Sequence, residues 1–375
     1  MCRAERLSGS RAIRATSPAR VFCLDRGSDV DAVTHSDTSP LWIACRFDHL
    51  DVAQLCIKRG ADVCRLGANG TTALWIACRR GHFDVATLLV DSGAVVDQAN
   101  EDGQSPLCIA CAYDHVEAAI LLLNHGADVG FADNDGATPL YLSCHEGATR
   151  AATLCLDRGA AVDPVEVQGR TPLHIACQHD HVAAVTLLLN RGADVNRQMY
   201  DGATPLIVAC WKDHVTAARL CLDRGADVEL TDADQWTPLH VASWKGHVGP
   251  ARLLLERGAD INRLTNDAHP PHDRKTAHNL ALTHGHAAMA AWLAHIKTSG
   301  WARHLSEARY KLVVLRASSR EGGRGGSAAL TARSSCWTFS FPTAGAAPTR
   351  EESEISRTCR TSSSRSSRAT TGVAS

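Results

Sequence analysis

One interval constrains this sequence more than any other feature, because short motifs recur every 33 residues without an insertion. Segments close to Thr-Pro-Leu-x-x-Ala-Cys begin at Ser39, Thr72, Ser105, Thr138, Thr171, Thr204 and Thr237. Glycines keep the same interval at Gly27, Gly60, Gly93, Gly126, Gly159, Gly192, Gly225 and Gly258. Leucines keep it at Leu55, Leu88, Leu121, Leu154, Leu187, Leu220 and Leu253. These three series of equivalent residues, which we call ladders, keep the same 33-residue interval. They predict a repeat array whose units are short supersecondary motifs.

Each copy predicts two short helices followed by a turn, as residues 171–202 illustrate. Thr171 is a favourable N-cap, and Pro172 follows at the first helical position, where its missing N–H costs nothing. A second helix is predicted over residues 182–190, and Gly192 supplies the left-handed residue that ends it. An extended stretch then leads to a turn closed by Gly202. The positions expected to face inward are Leu173, Ala176, Cys177, Val185, Leu188 and Leu189.

A helix pair of this size cannot bury its own apolar faces, so the copies must stack in single file. The array resembles the ankyrin repeat family, whose signatures Thr-Pro-Leu-His-x-Ala and Gly-Ala-Asp-Val-Asn stand at residues 171–176 and 192–196. The resemblance covers about residues 17–296. It implies an all-α solenoid with short β-hairpin turns, built from about seven full repeats with partial or degenerate terminal caps. It also implies that the first helices and hairpin tips line a concave face used for partner proteins.

The pattern divides the chain into four parts. Residues 1–16 are predicted to be disordered, and residues 17–297 form the repeat domain. That domain begins with a half repeat, which is either a cap or a truncated copy, and ends with a degenerate repeat over residues 275–296. A further helix is predicted within residues 298–317. Residues 318–375 are rich in Ser, Arg and Thr and are predicted to be a disordered tail, because a stretch with so few large apolar residues cannot offset its ordering entropy.

The array departs from the family pattern in two respects. Asp48, Asp114, Asp180 and Asp213 replace the glycine that precedes the interhelical histidine. Because Asp tolerates a left-handed backbone better than most residues, we expect the turn to survive at a cost of ~0.5–1 kcal/mol each. A six-residue insertion around residues 266–274 separates the last, degenerate repeat from the others.

Charge and hydropathy exclude several classes of protein. The formal net charge of −1 gives no overall attraction to nucleic acid or anionic lipid. No apolar run approaches the ~18 residues of a membrane span, so we expect a soluble chain. The N-terminal region lacks the apolar segment of a secretory signal. Its Arg-rich composition weakly resembles a transit peptide, but Glu5 and a weak apolar face count against targeting, and a cytoplasmic or nuclear location is favoured.

The chain has 15 cysteines, ten of which fall on two ladders of the repeat. Stacked helices lie ~8–10 Å apart, whereas the Cα atoms of a disulfide are usually ~4.4–6.8 Å apart. Neighbours on one ladder are therefore too distant to be bridged, and we expect small buried apolar fillers in a reducing compartment. The two ladders are Cys45, Cys78, Cys111, Cys144, Cys177, Cys210, and Cys23, Cys56, Cys155, Cys221.

The sequence offers only weak candidates for a catalytic or metal-binding site. His174 and Cys177 could form a nucleophile–base pair, but the histidine position carries Trp, Cys, Tyr or Ile in other copies and no third group orients the pair. The interhelical histidines are expected to bond to loop backbone: His49, His82, His115, His181, His214, His247 and His286. His269 and His272, with Asp273 and His278, are weak metal candidates in what reads more simply as an exposed turn. No phosphate-binding glycine loop is present, so we predict no enzyme, no cofactor and no metal.

The residues that end the first helices vary between copies and predict the binding surface. With Trp236 of a hairpin, the predicted partner-binding residues are Arg46, Phe47, Arg79, Arg80, Tyr113, Trp211, Lys212, Trp244 and Lys245. Exposed Trp and Arg dominate interface energetics. We therefore expect an acidic or mixed partner protein anchored by Trp211, Trp236 and Trp244, with Arg79, Arg80 and Lys245 around them.

Two alternatives stay open. The tryptophans could instead cover the groove of their own protein, and the chain could be a capped solenoid whose partner is another array. The Arg/Ser-rich tail between Arg357 and Arg368 could instead associate with nucleic acid, and such binding would fall steeply with salt.

Overall fold

A computed structural model describes residues 29–35, 37–265 and 274–299, which belong to one compact unit. Within these residues the regular structure consists of helices, and no strand occurs. The predicted half repeat at residues 17–27, the predicted helix beyond residue 299 and the tail all lie outside the described residues. The predicted all-α solenoid is confirmed, and its hairpin turns form without strand pairing.

The described helices form eight antiparallel pairs, in which an inner helix precedes an outer one. The inner helices are α1 (Pro40–Arg46), α3 (Ala73–Arg80), α5 (Pro106–Ala112), α7 (Pro139–Glu146), α9 (Pro172–Gln178), α11 (Pro205–Trp211), α13 (Pro238–Lys245) and α15 (Ala277–Thr283). The outer helices are α2 (Leu50–Lys58), α4 (Phe83–Asp91), α6 (Val116–Asn124), α8 (Thr149–Asp157), α10 (Val182–Asn190), α12 (Val215–Asp223), α14 (Val248–Glu256) and α16 (Ala287–Ser299). Each inner helix packs against the next inner helix, so the pairs stack in single file.

The helix boundaries follow from capping. Thr72 and its equivalents precede an inner helix, and the Thr72 hydroxyl accepts a hydrogen bond from the backbone N–H of Trp75 at 3.0 Å. Pro begins six of the inner helices, as predicted, because the first N–H of a helix has no intrahelical partner. The second helix of the 171–202 copy runs from Val182 to Asn190, and Gly192 lies at φ +88°.

The four aspartates that replace glycine adopt the predicted left-handed backbone. Their φ angles are 59° at Asp48, 56° at Asp114, 53° at Asp180 and 63° at Asp213. Asp114 also gains a contact that glycine could not make, because its Oδ1 accepts from the backbone N–H of Ala151 at 2.9 Å. That N–H lies in the first turn of α8, so a side chain of one repeat caps the outer helix of the next.

The interhelical histidines are structural, but the prediction that they bond to loop backbone was wrong. In five of them, a ring N–H donates to a carbonyl oxygen in the last turn of the inner helix of the preceding repeat: His82, His115, His181, His214 and His247. His82 Nδ1 lies 2.8 Å from the Cys45 oxygen, and His181 Nε2 lies 3.0 Å from the His145 oxygen. Carbonyls at a helix C-terminus lack intrahelical partners, so the histidine satisfies one of them and ties two repeats together.

In five of the described repeats, the side chain at the position of His174 links the inner helix to the following hairpin by a hydrogen bond. The backbone N–H of Thr171 donates to His174 Nδ1 at 3.1 Å, and Nε2 donates to the Ala203 carbonyl at 3.2 Å. Trp75 serves the same purpose, since its Nε1 donates to the Gln104 carbonyl at 3.1 Å. Different side chains at this position therefore satisfy the same structural requirement.

We expect His174 to make the fold sensitive to acid. Burial lowers the pKa of His174 from 6.5 to about 4, against the weaker raising effect of the Ala203 carbonyl. Below pH 6.5 the His174 side chain of the unfolded chain becomes protonated, whereas in the folded chain it stays neutral down to about pH 4. The free energy of unfolding therefore decreases as the pH falls from 6.5 towards 4. The loss attributable to His174 is about 1 kcal/mol at pH 5.5 and about 3 kcal/mol at pH 4.

The measurement is urea unfolding between pH 7.5 and 5, for the natural chain and for His174→Gln. The variant should be less stable at pH 7.5 but should lose less stability on acidification. His125→Gln is the matched control, because His125 is an exposed residue at the end of α6. A variant with the same acid dependence as the natural chain would show that His174 is not the responsible group.

The deepest part of the core is not the leucine ladder that is conspicuous in the sequence. Leu187 and most of its equivalents are only half-buried. The next position along the chain is fully buried in the seven full repeats, and it holds either leucine or cysteine: Cys56, Leu89, Leu122, Cys155, Leu188, Cys221 and Leu254. This position faces the inner helices, so its residue size decides how closely the two layers approach.

The cysteines are buried fillers, as predicted, but the two ladders meet. Cys111 Sγ lies 3.5 Å from Cys155 Sγ, and Cys177 Sγ lies 3.6 Å from Cys221 Sγ. Both pairs join an inner helix to the outer helix of the following repeat. The distance between neighbours on one ladder does not predict such contacts between the two ladders. The hydrogen bond with Cys155, followed by burial, raises the pKa of Cys111, and the thiols are free. They pack as small apolar groups in van der Waals contact.

Candidate partner-binding face

Apart from Trp236, which lies in a hairpin, the predicted binding residues lie at the C-terminal ends of the inner helices and in the turns that follow. Repetition places them in one row along the solenoid, because they occupy two adjacent positions that recur in each copy. Several large side chains in this row remain in solvent, with 44% of Phe47, 50% of Tyr113 and 44% of Trp211 exposed. Exposed aromatic side chains in a continuous row are typical of an interaction surface.

A tryptophan cluster, defined as Trp211, Trp236, Trp244, Lys245 and His284, occupies the C-terminal part of the row. Trp244 is central, because its ring lies 5.3 Å from Trp211, 5.6 Å from Trp236 and 5.6 Å from His284 between centroids. The interplanar angles of 70°, 88° and 87° are those of edge-to-face aromatic contacts. The three predicted anchors therefore form one contiguous group.

Lys245 is part of this cluster through cation–π contacts. Its Nζ lies 4.5 Å from the ring centre of Trp211 and 4.2 Å from that of Trp244. An ammonium this close to two indoles is attracted by the negative faces of both rings. The contacts hold Lys245 beside the indoles, and Trp211 keeps an exposed surface next to a fixed positive charge.

A second group, which we call the arginine groove, lies in the N-terminal repeats. It is an open cavity of about 520 Å³, and its principal walls are Trp42, Arg46, Trp75, Arg79, Arg80 and Tyr113. The guanidinium of Arg46 lies 5.5 Å from the Trp42 ring, and that of Arg79 lies 5.6 Å from the Trp75 ring. Both tryptophans are buried, so they form the floor on which the exposed arginines stack.

The two groups are separate, which corrects the expectation that Arg79 and Arg80 surround the tryptophan anchors. Arg79 contacts Trp75 and Tyr113 instead. Three inner helices stand between α3 and α11, and four steps of ~8–10 Å place the groups roughly 32–40 Å apart. Of the predicted cations, Lys245 belongs to the tryptophan cluster by direct contact.

Histidines occupy the row between the two groups. The rings of His145 and His179 are 4.7 Å apart, and those of His179 and His181 are 5.8 Å apart. His145 Nδ1 lies 2.8 Å from Glu146 Oε1. Desolvation, followed by the charges of His145 and His181, lowers the pKa of His179. The middle of the row therefore carries less positive charge at neutral pH than its two ends.

Sequence reasoning missed Trp42, Trp75 and His284 as parts of these sites. A usable signal was present for the first two, because Trp42–Arg46 and Trp75–Arg79 stand four residues apart on one helix. Residues at this spacing share a helix face and can stack. His284 could not have been found in this way, because it reaches Trp244 from the following repeat.

The remaining candidates for chemistry do not form an accessible site. His174 and Cys177 are both fully buried, and both ring nitrogens of His174 are engaged in hydrogen bonds. His269, His272 and Asp273 lie outside the described residues, and His278 Nδ1 donates to the Ala290 carbonyl at 2.9 Å. The residues that the structure describes contain no cluster of metal-ligating side chains. None of the described helices is both long and apolar enough to cross a bilayer.

Comparison with known proteins identifies the repeat. A family model described as ankyrin repeats (3 copies) matches residues 11–100, 41–133, 92–162, 107–199 and 196–265. Among solved structures, the crystal structure of the human ASB11 ankyrin repeat domain is similar, with a TM-score of 0.54 and 27% sequence identity. The match covers 60% of this chain and 99% of that one. The search of curated proteins returned no match.

Proposed function

Because this chain belongs to the ankyrin repeat family, we propose that it is a non-catalytic adaptor that binds a partner protein through the row of inner-helix ends. The tryptophan cluster is the anchor of this interface. The observation that carries the proposal is the exposed indole of Trp211, held against Trp244 and Lys245. Members of this family generally mediate contacts between proteins, and fold alone does not select the partner.

The geometry of the cluster suits an anchor. A side chain that is already held in its bound position loses little conformational entropy on association. Trp244 is fixed by three neighbouring rings, and Lys245 by two indoles. Binding hot spots are enriched in tryptophan and typically contribute ≥ ~2 kcal/mol each when desolvated. A partner that covers Trp211 would bury the apolar surface of its indole and leave the Lys245 ammonium group at the edge of the interface.

The test is affinity capture with the full chain, followed by mass spectrometry. We expect the combined Trp211→Ala and Trp244→Ala variant to retain less than a tenth of the partner captured by the natural chain. Tyr200→Ala is the matched control, because 75% of Tyr200 is exposed on a hairpin outside the cluster. Circular dichroism of both variants shows whether the fold is intact.

Unchanged capture by a folded Trp211→Ala, Trp244→Ala variant would contradict the proposal. The cluster would then serve to cover a surface of its own solenoid. Equal loss in the Tyr200→Ala control would likewise contradict it, because the effect would not be specific to the tryptophans.

A further inference from the structure

The arginines of the groove differ from other arginines of the described solenoid whose charges are paired with carboxylates. Arginines that follow the outer helices bond to the end of the preceding outer helix: Arg191 to Asp157 at 2.8 Å and Arg257 to Asp223 at 2.6 Å. Among the described residues, no carboxylate forms an ion pair with Arg46, Arg79 or Arg80. All three arginines are exposed, and the guanidinium groups of Arg46 and Arg79 lie over aromatic rings.

We infer that the arginine groove binds an acidic segment of the partner protein, in extended conformation, with carboxylates about three residues apart. The inference rests on the proposed function and adds the chemical class of the segment and a second contact point. A guanidinium presents a planar set of donors that matches a carboxylate, and such charge-assisted hydrogen bonds are among the strongest in proteins. Stacking on tryptophan orients the guanidinium before the ligand arrives.

The spacing of the arginines sets the spacing of the acids. Arg46 and Arg79 occupy nearly equivalent places at the ends of adjacent inner helices, which lie ~8–10 Å apart. An extended chain in the polyproline II conformation rises ~3.1 Å per residue with three residues per turn, so the side chains of residues i and i+3 lie on the same face, about 9 Å apart. A segment that runs along the solenoid axis would place one carboxylate against each guanidinium.

The other groups of the groove agree with an acidic ligand. Asp102 and Glu146 are the acidic residues that line it, and Glu146 is already paired with His145. Phe47 and Tyr113 are half-exposed beside Arg46 and Arg79, at 5.5 and 5.7 Å from their guanidinium groups. They offer apolar contact to other residues of the bound segment. The volume of about 520 Å³ lies within the ~300–1,000 Å³ typical of ligand sites.

The probe is a fluorescein-labelled peptide that contains Glu-Ala-Ala-Glu, compared with its Gln-Ala-Ala-Gln counterpart. Fluorescence anisotropy with the full chain at about 50 mM salt limits screening of the ion pairs. We expect the Glu peptide to bind at least about tenfold more tightly than the Gln peptide. The combined Arg46→Gln and Arg79→Gln variant should remove that difference.

Two controls separate this inference from the proposed function. Arg191→Gln with Arg257→Gln changes the net charge equally but acts on paired arginines, and it should preserve the preference for the Glu peptide. Trp211→Ala with Trp244→Ala should also preserve it, because the tryptophan cluster is a separate site. If partner capture depends on the tryptophans while the two peptides bind equally, the groove assignment fails and the proposed function stands.

Two further results would overturn the inference. Retained preference for the Glu peptide in the Arg46→Gln, Arg79→Gln variant would place the binding elsewhere. The tail itself carries acids three residues apart at Glu351 and Glu354. Tighter peptide binding after Glu351→Gln with Glu354→Gln would reassign the groove to the chain's own tail.

Discussion

Replacing Gly202 with alanine is expected to destabilise the solenoid by about 2–4 kcal/mol, although the change adds one methyl group. Gly202 has a φ of +80°, which already disfavours any side chain. The added Cβ would lie 2.6 Å from the Ala233 nitrogen and 2.8 Å from the Asp232 carbonyl carbon. These are backbone atoms of the next hairpin and cannot move aside as a side chain would.

The close approach at Gly202 exists because hairpins are joined tip to tip. The Ala233 N–H donates to the Asp201 carbonyl at 2.8 Å, and the Tyr200 N–H donates to the Gln168 carbonyl at 3.2 Å. A methyl group on Gly202 would separate the hairpins and break the first of these bonds. Hydrogen exchange at the Ala233 amide should therefore accelerate together with the loss of stability.

Gly225 is the matched control for Gly202. Its φ of +91° is equally unfavourable for a side chain, but no atom lies within 4 Å of an added Cβ. Gly225→Ala should cost only the backbone term of about 1–2 kcal/mol. Urea unfolding of the two variants distinguishes the effects. Equal destabilisation would mean that backbone conformation alone accounts for Gly202, and that contact with the next hairpin is unimportant.

The second large effect is expected at Leu188, where substitution with alanine should cost about 2–5 kcal/mol. Leu188 is fully buried in α10, at the position that holds cysteine in α8 and α12. Removing its branched end leaves a cavity between the inner and outer helices, which close-packed neighbours on both sides cannot fill without moving.

Leu187→Ala tests the same helix at the half-buried position and should cost about 1 kcal/mol. The two substitutions remove the same atoms from adjacent residues of one helix, so their effects on helix propensity are equal. Chemical denaturation gives the difference directly. A larger loss at Leu187 than at Leu188 would show that the conspicuous leucine ladder carries more of the packing energy than burial indicates.

Much of the fold could be predicted from the sequence because a repeat reports the same local rules many times. Thr171, Pro172 and Gly192 mark the ends of helices by capping chemistry that acts within a few residues. The left-handed aspartates were predictable for the same reason, since their conformational preference is local. The spacing of 33 residues then indicated single-file stacking without any knowledge of the contacts.

The candidate site was predictable only as a row of positions. Variation at the ends of the inner helices indicated which residues face outward, and the anchors Trp211, Trp236 and Trp244 do lie together. Their distance from Arg79 and Arg80 was misjudged, because residue type suggested one site where the stacking of helices produces two. The contact of His284 with Trp244 likewise arises between repeats.

The sequence by itself therefore determined the family, the helix pairs and the face that points outward, because capping, turn conformation and apolar periodicity act over short stretches of chain. Only the tertiary structure decided which side chains meet across repeats. Cys111 contacts Cys155 from 44 residues away, His181 satisfies a carbonyl 36 residues away, and Arg79 stacks beside Tyr113. These pairings depend on the distance and rotation between neighbouring repeats, which are set by the packing of buried side chains between the helices.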